Sequence, residues 1–401
     1  MAITITQKPF KYAPTQNPII FRFYTNNPNT VYFIVKVLDN TGKLLSKNKV
    51  FIPPDGKRTN FIDLSMILDN YVVTEVDNDN ELLVNLSGTV SYTVNVTGVD
   101  ITGRVTDIQV DSDVYYAFNS KYNAFDVYND AINSYYMVTG RQSDFLSDKH
   151  TRSSLHILQR EFLYFLADNA SSVGSVKIKM TYKGGDTINK TIEFNNPSNR
   201  LIHRLNLTPQ VLATQLGLSL VRLRNITVWL ESKTGMRMST ERVYDVCAYG
   251  CGVDLVNLIW VNKLGGMTSH TFINPREVKS SDKTNLDTNG YLDLNKRTYK
   301  PLIKTIDNKI LNTYTMTTTR LSDYDFRVLS EIIFSKEVYI ELTDGNLYPV
   351  QLKTDRIDIM QKKYNRTLSR LELQFDADSN LTLDLFNKEG DGFDYDLDII
   401  L

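Results

Sequence analysis

Two cysteines, four histidines and scattered carboxylates are the residues of this chain whose chemistry could be put to work. Cys247 and Cys251 are spaced C-x₃-C, which supplies two thiolates of a zinc site. A structural zinc takes four ligands, so a second pair or an H-x₃₋₅-H group is required. There is no second cysteine pair, and His150, His156, His203 and His270 do not form such a group. The two thiols are therefore expected as small buried apolar groups, with no metal site. Asp77-Asn78-Asp79-Asn80-Glu81 alternates oxygen side chains as a calcium loop does, but lacks the sixth-position glycine and the distal glutamate. It reads as a solvated loop. Asp63, Asp113 and Glu193 have no mark that singles them out as catalytic acids. A glycosidase would need two carboxylates facing each other roughly 5 to 10 Å apart. The chain has no P-loop, nucleophile elbow, H-E-x-x-H or Rossmann glycine pattern. A non-enzymatic protein without a cofactor is the expectation.

Composition narrows the class further. With 401 residues the chain has room for two or three domains. Lys+Arg is 45 against Asp+Glu 46, so no long-range field draws it to nucleic acid or to an anionic membrane. Two cysteines make no disulfide framework, which suits synthesis in a reducing cytoplasm. The N-terminal residues lack the pattern of an export signal, and no apolar run approaches a membrane span.

The elements that would position any site are mostly short strands. Strands are expected at Ile19–Tyr24, Val31–Leu38, Leu44–Ile52, Val90–Val96 and Arg104–Val110, with Val105, Ile108 and Val110 as the apolar residues of the last. Asp63 can cap a short helix whose Leu64, Ile67 and Leu68 share a face. In the middle third, Leu155–Ala167 reads as a helix on the spacing of Leu155, Leu158, Phe162, Phe165 and Leu166. A hairpin turns at Lys183-Gly184-Gly185-Asp186, and Thr208-Pro209 opens a helix that Gly217 ends. Asn274–Thr298 is polar and reads as a long loop or arm. Ser322 opens a capping-box helix, followed by a hairpin across Asp344-Gly345 and another across Tyr364-Asn365-Arg366. The fold class is mainly β with a few short helices, built as β-sandwich modules. The segments are expected as 1–135, 136–274, 275–388 and a docking arm at 389–401.

Two stretches stand out. In Leu258–Phe272 a strand carrying Trp260 stops at Asn262, turns on Gly265-Gly266 and returns to Phe272, a structural corner. At the end of the chain Phe393, Tyr395, Leu397, Ile399 and Leu401 alternate with Asp394, Asp396 and Asp398, with Ile400 as the exception. That is strand period, tethered by Gly390-Asp391-Gly392, and it reads as an arm that adds a strand to a neighbouring subunit.

Three segments in order carry a resemblance: FKYAPTQNPIIFRFY with FIDLSMIL, then LQREFLYFLADN leading to LIWVNKLGGMTSHTF, then LSEIIFSKEVYIEL with YPVQLKTDRIDI. This order resembles virion structural proteins of tailed phages that infect Bacteroides and relatives, the crAss-like phages among them. The phrase W-x-N-x-L-G-G plus an aromatic strand is carried here by Trp260, Asn262, Leu264, Gly265, Gly266 and Phe272, and Met267 departs from it. The resemblance implies a non-enzymatic, ring-forming tail or portal-proximal collar component. Its partners would be copies of itself and adjacent tail, portal or hub proteins, with DNA passing through the lumen unrecognised by sequence. It would be made in the host cytoplasm and reside in the virion. The alternative is a tail protein that binds carbohydrate or a receptor, given 23 Tyr, 18 Phe and 2 Trp.

Overall fold

The computed structural model describes residues 3–54, 56–72, 80–123, 131–248, 253–287, 292–295, 298–299, 303–342, 345–357, 370–378 and 387–388. The chain is mostly strand, as expected, and divides into two compact units: Met1–Cys247 with Val261–Thr268, and Ala248–Trp260 with Ser269–Leu401.

The first unit begins with a β-sandwich. Its strands are β1 (Ile3–Gln7), β2 (Tyr12–Pro14), β3 (Ile20–Thr25), β4 (Tyr32–Asp39), β5 (Leu44–Phe51) and β6 (Thr59–Asp63). After helix α1 (Ser65–Asp69) come β7 (Leu83–Leu86), β8 (Thr89–Val99), β9 (Val105–Asp111) and β10 (Tyr115–Phe118). One sheet runs β1-β3-β6; the other runs β2-β10-β8-β4-β5, with β9 beside β8. Alternation decides which side chains fill the space between them. Phe21 and Phe23 of β3 share a core with Phe33, Val35 and Val37 of β4 and with Tyr92, Val94 and Val96 of β8. The cap expected of Asp63 is corrected: Leu64 is the N-cap residue of α1 and makes no side-chain cap bond, while Asp63 Oδ1, one residue earlier, accepts from Ser65 N at 2.9 Å and from Ile19 N at 2.9 Å.

β9 breaks the expected pattern. Val105 and Ile108 are 67% and 76% exposed, whereas Asp107 is 1% exposed. The carboxylate is turned inward because it meets ready donors: Thr25 Oγ1 at 2.8 Å, Thr30 Oγ1 at 2.7 Å and Asn27 Nδ2 at 3.2 Å. Gly98 leaves the space, since a Cβ there would lie 2.7 Å from Asp107 Oδ2.

The same unit continues with β11 (Arg152–His156), β12 (Phe162–Leu166), β13 (Val173–Tyr182), β14 (Thr187–Glu193), β15 (Ile202–Asn206), α2 (Pro209–Leu216), β16 (Leu223–Ser232) and β17 (Arg242–Cys247). The sheets are β11-β17-β16-β13-β14 and β12-β15-β7. The expected helix at 155–167 is thus two strands broken at 157–161. Every residue of β12 is buried, so no polar face reveals its period, and apolar residues at helical spacing recur by density alone. β7 crosses from the neighbourhood of the first sandwich to pair with β15, which the sequence reading did not anticipate. Thr208 begins α2 and Gly217 ends it in the left-handed region, but Thr208 Oγ1 accepts from Glu161 N and makes no cap bond.

The second unit is built on β18 (Asp254–Val261), β19 (Met267–Asp287), β20 (Leu292–Asp293), β21 (Thr298–Tyr299), β22 (Ile303–Thr317), α3 (Asp323–Ser330), β23 (Val338–Glu341), β24 (Leu347–Leu352), β25 (Glu372–Asp378) and β26 (Asn387–Lys388). The order β19-β22-β25-β24-β23-β18 closes on itself through a β19–β18 pairing, giving a barrel. Closure removes free edges. Trp260, Phe272, Tyr314, Met316, Ile340, Leu373 and Phe375 are among the residues filling it. α3 starts as the capping box predicts, with Ser322 Oγ accepting from Asp325 N at 3.1 Å. Phe326 and Leu329 of α3 join the barrel core. The expected loop at 274–298 is corrected: Asn274–Asp287 continues β19, a strand of 21 residues paired with β22.

Candidate functional site

The glycine corner is a tightly specified turn. Trp260 and Phe272, 1% and 0% exposed, belong to the barrel core. Between them, residues 261–268 belong to the first unit. Asn262 holds the turn by using its whole amide. Oδ1 accepts from Leu264 N at 2.9 Å and Gly266 N at 3.1 Å. Nδ2 donates to Leu146 O and to Thr268 Oγ1, each at 3.1 Å. Thr268 Oγ1 in turn donates to Asp148 Oδ1 at 2.9 Å. The glycines are required by space as well as by angle. Gly265 sits at φ +93°, and a Cβ would lie 2.8 Å from Asn119 O. A Cβ on Gly266 would lie 2.6 Å from Leu146 O. The corner is structural, and its polar groups are consumed by the fold.

A second polar cluster is buried in the middle sheets. Lys149 Nζ lies 2.7 Å from Glu161 Oε2, with side chains 7% and 2% exposed. Gln159 Nε2 donates to the same oxygen at 3.3 Å, and Arg242 Nη1 donates to Lys149 O at 2.6 Å. Burial pushes the Tyr244 hydroxyl well above its ordinary range, with the Glu161 charge adding to the effect. Its charges are compensated, as buried charges must be. Nearby, His203 Nδ1 contacts Asn85 Oδ1 at 2.8 Å and Nε2 contacts Ala167 O at 2.7 Å. Burial holds this imidazole down to about 4, so it is neutral near pH 7. Asn85 and His203 are also register partners in the β7–β15 ladder.

The sequence-predicted groups are dispersed. Asp63 accepts from the backbone N–H groups of Ser65 and Ile19, Asp113 makes an exposed ion pair with Lys8 at 3.1 Å, and Glu193 lies exposed on β14. Cys247 is buried with Sγ 3.6 Å from Leu155 O, while Cys251 lies outside the described residues. Among the described residues no group of three or more His, Cys, Asp or Glu is placed to hold a metal ion. No described helix is long and apolar enough to cross a membrane. Asp77–Asp79 and the arm residues Phe393, Tyr395, Leu397, Ile399 and Leu401 lie outside the described residues, as do 358–369, where the last hairpin is expected.

Three surface features remain. The first is the far half of the β19–β22 hairpin. β22 pairs with β25 over Leu311–Thr317, but from Ser281↔Ile310 to Asp287↔Ile303 the two strands pair, among the described residues, with each other alone. That ribbon is roughly 20 Å long. Lys283, Thr284, Asn285 and Thr305 on it are exposed, and Thr305 Oγ1 donates to Asn285 Oδ1 at 3.1 Å. The second is the outer face of β1-β3-β6, where Tyr24 and Phe61 are 38% and 51% exposed and Arg22 lies over the Phe61 ring. The third is a cleft of about 410 Å³ where the β1–β2 and β2–β3 connections meet, lined by Pro9, Phe10, Tyr12, Pro14 and Pro18 among others.

No family model matches the chain, and no curated protein matches it. Among solved structures, the chain is similar to the crystal structure of CBD12 from CALX1.2 at 8% identity and a TM-score of 0.20, covering 61% of this chain and 99% of that one. It is also similar to a tetra-tandem repeat in the extending region of a large adhesion protein, at 10% identity and a TM-score of 0.20, covering 87% and 86%. Likeness at that level carries no inference about role.

Proposed function

We propose that this chain is a non-enzymatic structural subunit of a tailed-phage virion, a ring-forming component of the tail or portal-proximal collar that joins its copies through β contacts. The observation that supports the reading best is the β19–β22 ribbon. A two-stranded ribbon is marginal in water without a third strand or a packed face. Ser281–Asp287 and Ile303–Ile310 have no third strand among the described residues. A ribbon of this length gains a stabilising partner when it lies against a neighbouring subunit. Exposed edge positions add to the case: β5 carries Leu44 and Phe51 at 49% and 60% exposure, and β9 carries Val105 and Ile108. The resemblance of the ordered segments to Bacteroides-phage virion proteins supplies the setting. In that setting the partners are further copies and adjacent tail, portal or hub proteins.

The test is to replace 282–309 with a two-residue Asn-Gly turn joining Ser281 to Ile310. The reading expects the barrel to stay folded while multimers are lost. Multimers that survive the shortening refute the role given to the ribbon. Absence of the chain from purified particles refutes the virion assignment.

Tyr24 and Phe61, with Arg22 beside them, favour a second reading as a carbohydrate-binding tail protein, because exposed rings on a sheet face can stack on sugars. Binding on a glycan array that disappears in Tyr24→Ala would support it, and an array without hits would remove it.

A further inference from the structure

We infer that the cleft at the β1–β2–β3 corner is the receptor for residues 393–401 of a second copy of this chain. The inference rests on the assembly reading above and assigns that assembly a specific contact. The cleft, of about 410 Å³, is predominantly apolar, walled by Pro9, Phe10, Pro14 and Pro18, with Ala13 and Tyr12 between them. Its rim is basic. Lys8 and Lys11 are exposed, and Lys11 Nζ lies 5.3 Å above the Tyr12 ring. Arg22 pairs in register with Gln7, itself a lining residue, and is exposed. Two acidic groups lie close by: Asp113 faces Lys8 at 3.1 Å, and Asp168, which accepts from the Tyr136 hydroxyl, bears on Tyr12.

An apolar floor with a cationic rim selects an occupant that is apolar on one side and acidic on the other. Within this sequence that description fits Phe393–Leu401, where apolar residues alternate with Asp394, Asp396 and Asp398. In extended form the alternation sends Phe393, Tyr395 and Leu397 to one side and the aspartates to the other. The aromatic side then enters the cleft, and the aspartates meet Lys8, Lys11 and Arg22. The prolines of the corner limit backbone pairing, because they lack an N–H. Side-chain insertion and rim charge therefore supply the selectivity. Among the described residues β2 is an edge strand paired with β10 alone. In its parallel ladder Lys11 O accepts from Tyr116 N and Thr15 N donates to Phe118 O, so the alternate residue Tyr12 turns its backbone away from β10.

The experiment uses the full chain with Tyr395→p-benzoylphenylalanine, prepared as an equal mixture of ¹⁵N-labelled and unlabelled protein. Irradiation followed by peptide mass spectrometry should give mixed-isotope crosslinks from the C-terminal peptide to residues 7–20. Lys11→Glu should lower their yield roughly threefold to fivefold, the scale of one rim charge pair. Adding Asp396→Lys to Lys11→Glu should restore it. Mixed-isotope crosslinks that land on another surface overturn this inference and leave the assembly reading standing. Crosslinks confined to single-isotope pairs also overturn it, since the segment then seats on its own chain. A chain that stays monomeric before irradiation overturns the assembly reading itself, and this inference with it.

Discussion

Asn262→Ala is the sharpest structural test, because one small side chain satisfies four groups. The substitution leaves Leu264 N and Gly266 N without their acceptor and Leu146 O without its donor, in a turn where Asn262 is 4% exposed. Thr268 Oγ1 keeps Asp148. A buried polar group left unpaired costs about 1–3 kcal/mol. Two orphaned N–H groups and one carbonyl, partly relieved by water, should therefore destabilise the first unit by about 3–5 kcal/mol. The assay can be confined to that unit. Trp229 lies in the first unit and Trp260 in the second, so a Trp260→Phe background leaves Trp229 fluorescence as the reporter. That background removes no hydrogen bond, because the buried Trp260 Nε1 has no partner among the described residues, and the cavity it leaves lies in the barrel core of the second unit. With a urea slope of about 3 kcal/mol/M, Asn262→Ala should lower the Trp229 midpoint by about 1–2 M. Asn262→Asp keeps the acceptor but opposes Leu146 O with a carboxylate, so it should also destabilise, with partial recovery on acidification as the acid regains a donor proton. A midpoint within about 0.2 M of the parent would refute the assignment of the turn to Asn262.

Further expectations concern neighbouring features. Gly266→Ala should lower the same Trp229 midpoint, because its Cβ meets Leu146 O, a backbone atom held at the turn, and overpacking costs about 1–3 kcal/mol. Glu161→Leu should cost about 3–5 kcal/mol by stranding Lys149, and Lys149→Met in combination should recover much of the loss, read by a double-mutant cycle in urea. His203 gives a pH signature. Its folded value of about 4 lies below the ordinary 6.5, so the unfolded chain takes the proton first, and this contribution is full above pH 6.5 and lost as pH falls toward 4. The gap is worth about 3 kcal/mol, and His203→Gln should flatten the midpoint-against-pH curve across that window by about one proton.

Much of the scaffold was legible where chemistry and period agree. The hairpin at β13–β14 declared itself through alternation on both sides of Gly184-Gly185. Ser322 announced α3, and the Trp260 strand with its glycine turn lies where its residues imply. Legibility failed for identifiable reasons. β12 is buried on both faces, so Phe162, Leu163, Phe165 and Leu166 present no alternation, and spacing to Leu155 and Leu158 imitated a helix. β9 is set by donors from Thr25, Asn27 and Thr30, far away in sequence, which turn Asp107 inward against its local pattern. The outer β19–β22 ribbon has no apolar stripe over Lys283-Thr284-Asn285, so nothing local separated it from a loop. The β7 crossing is a ladder of Leu83–Leu86 against Ile202–Leu205, a long-range pairing with no local signal.

Sedimentation velocity of the purified full chain across a concentration series tests the central claim most directly. Self-assembly through β contacts predicts a discrete multimer of fixed mass that grows at the expense of the 46.0 kDa chain as concentration rises. A single 46.0 kDa species at every concentration would contradict it.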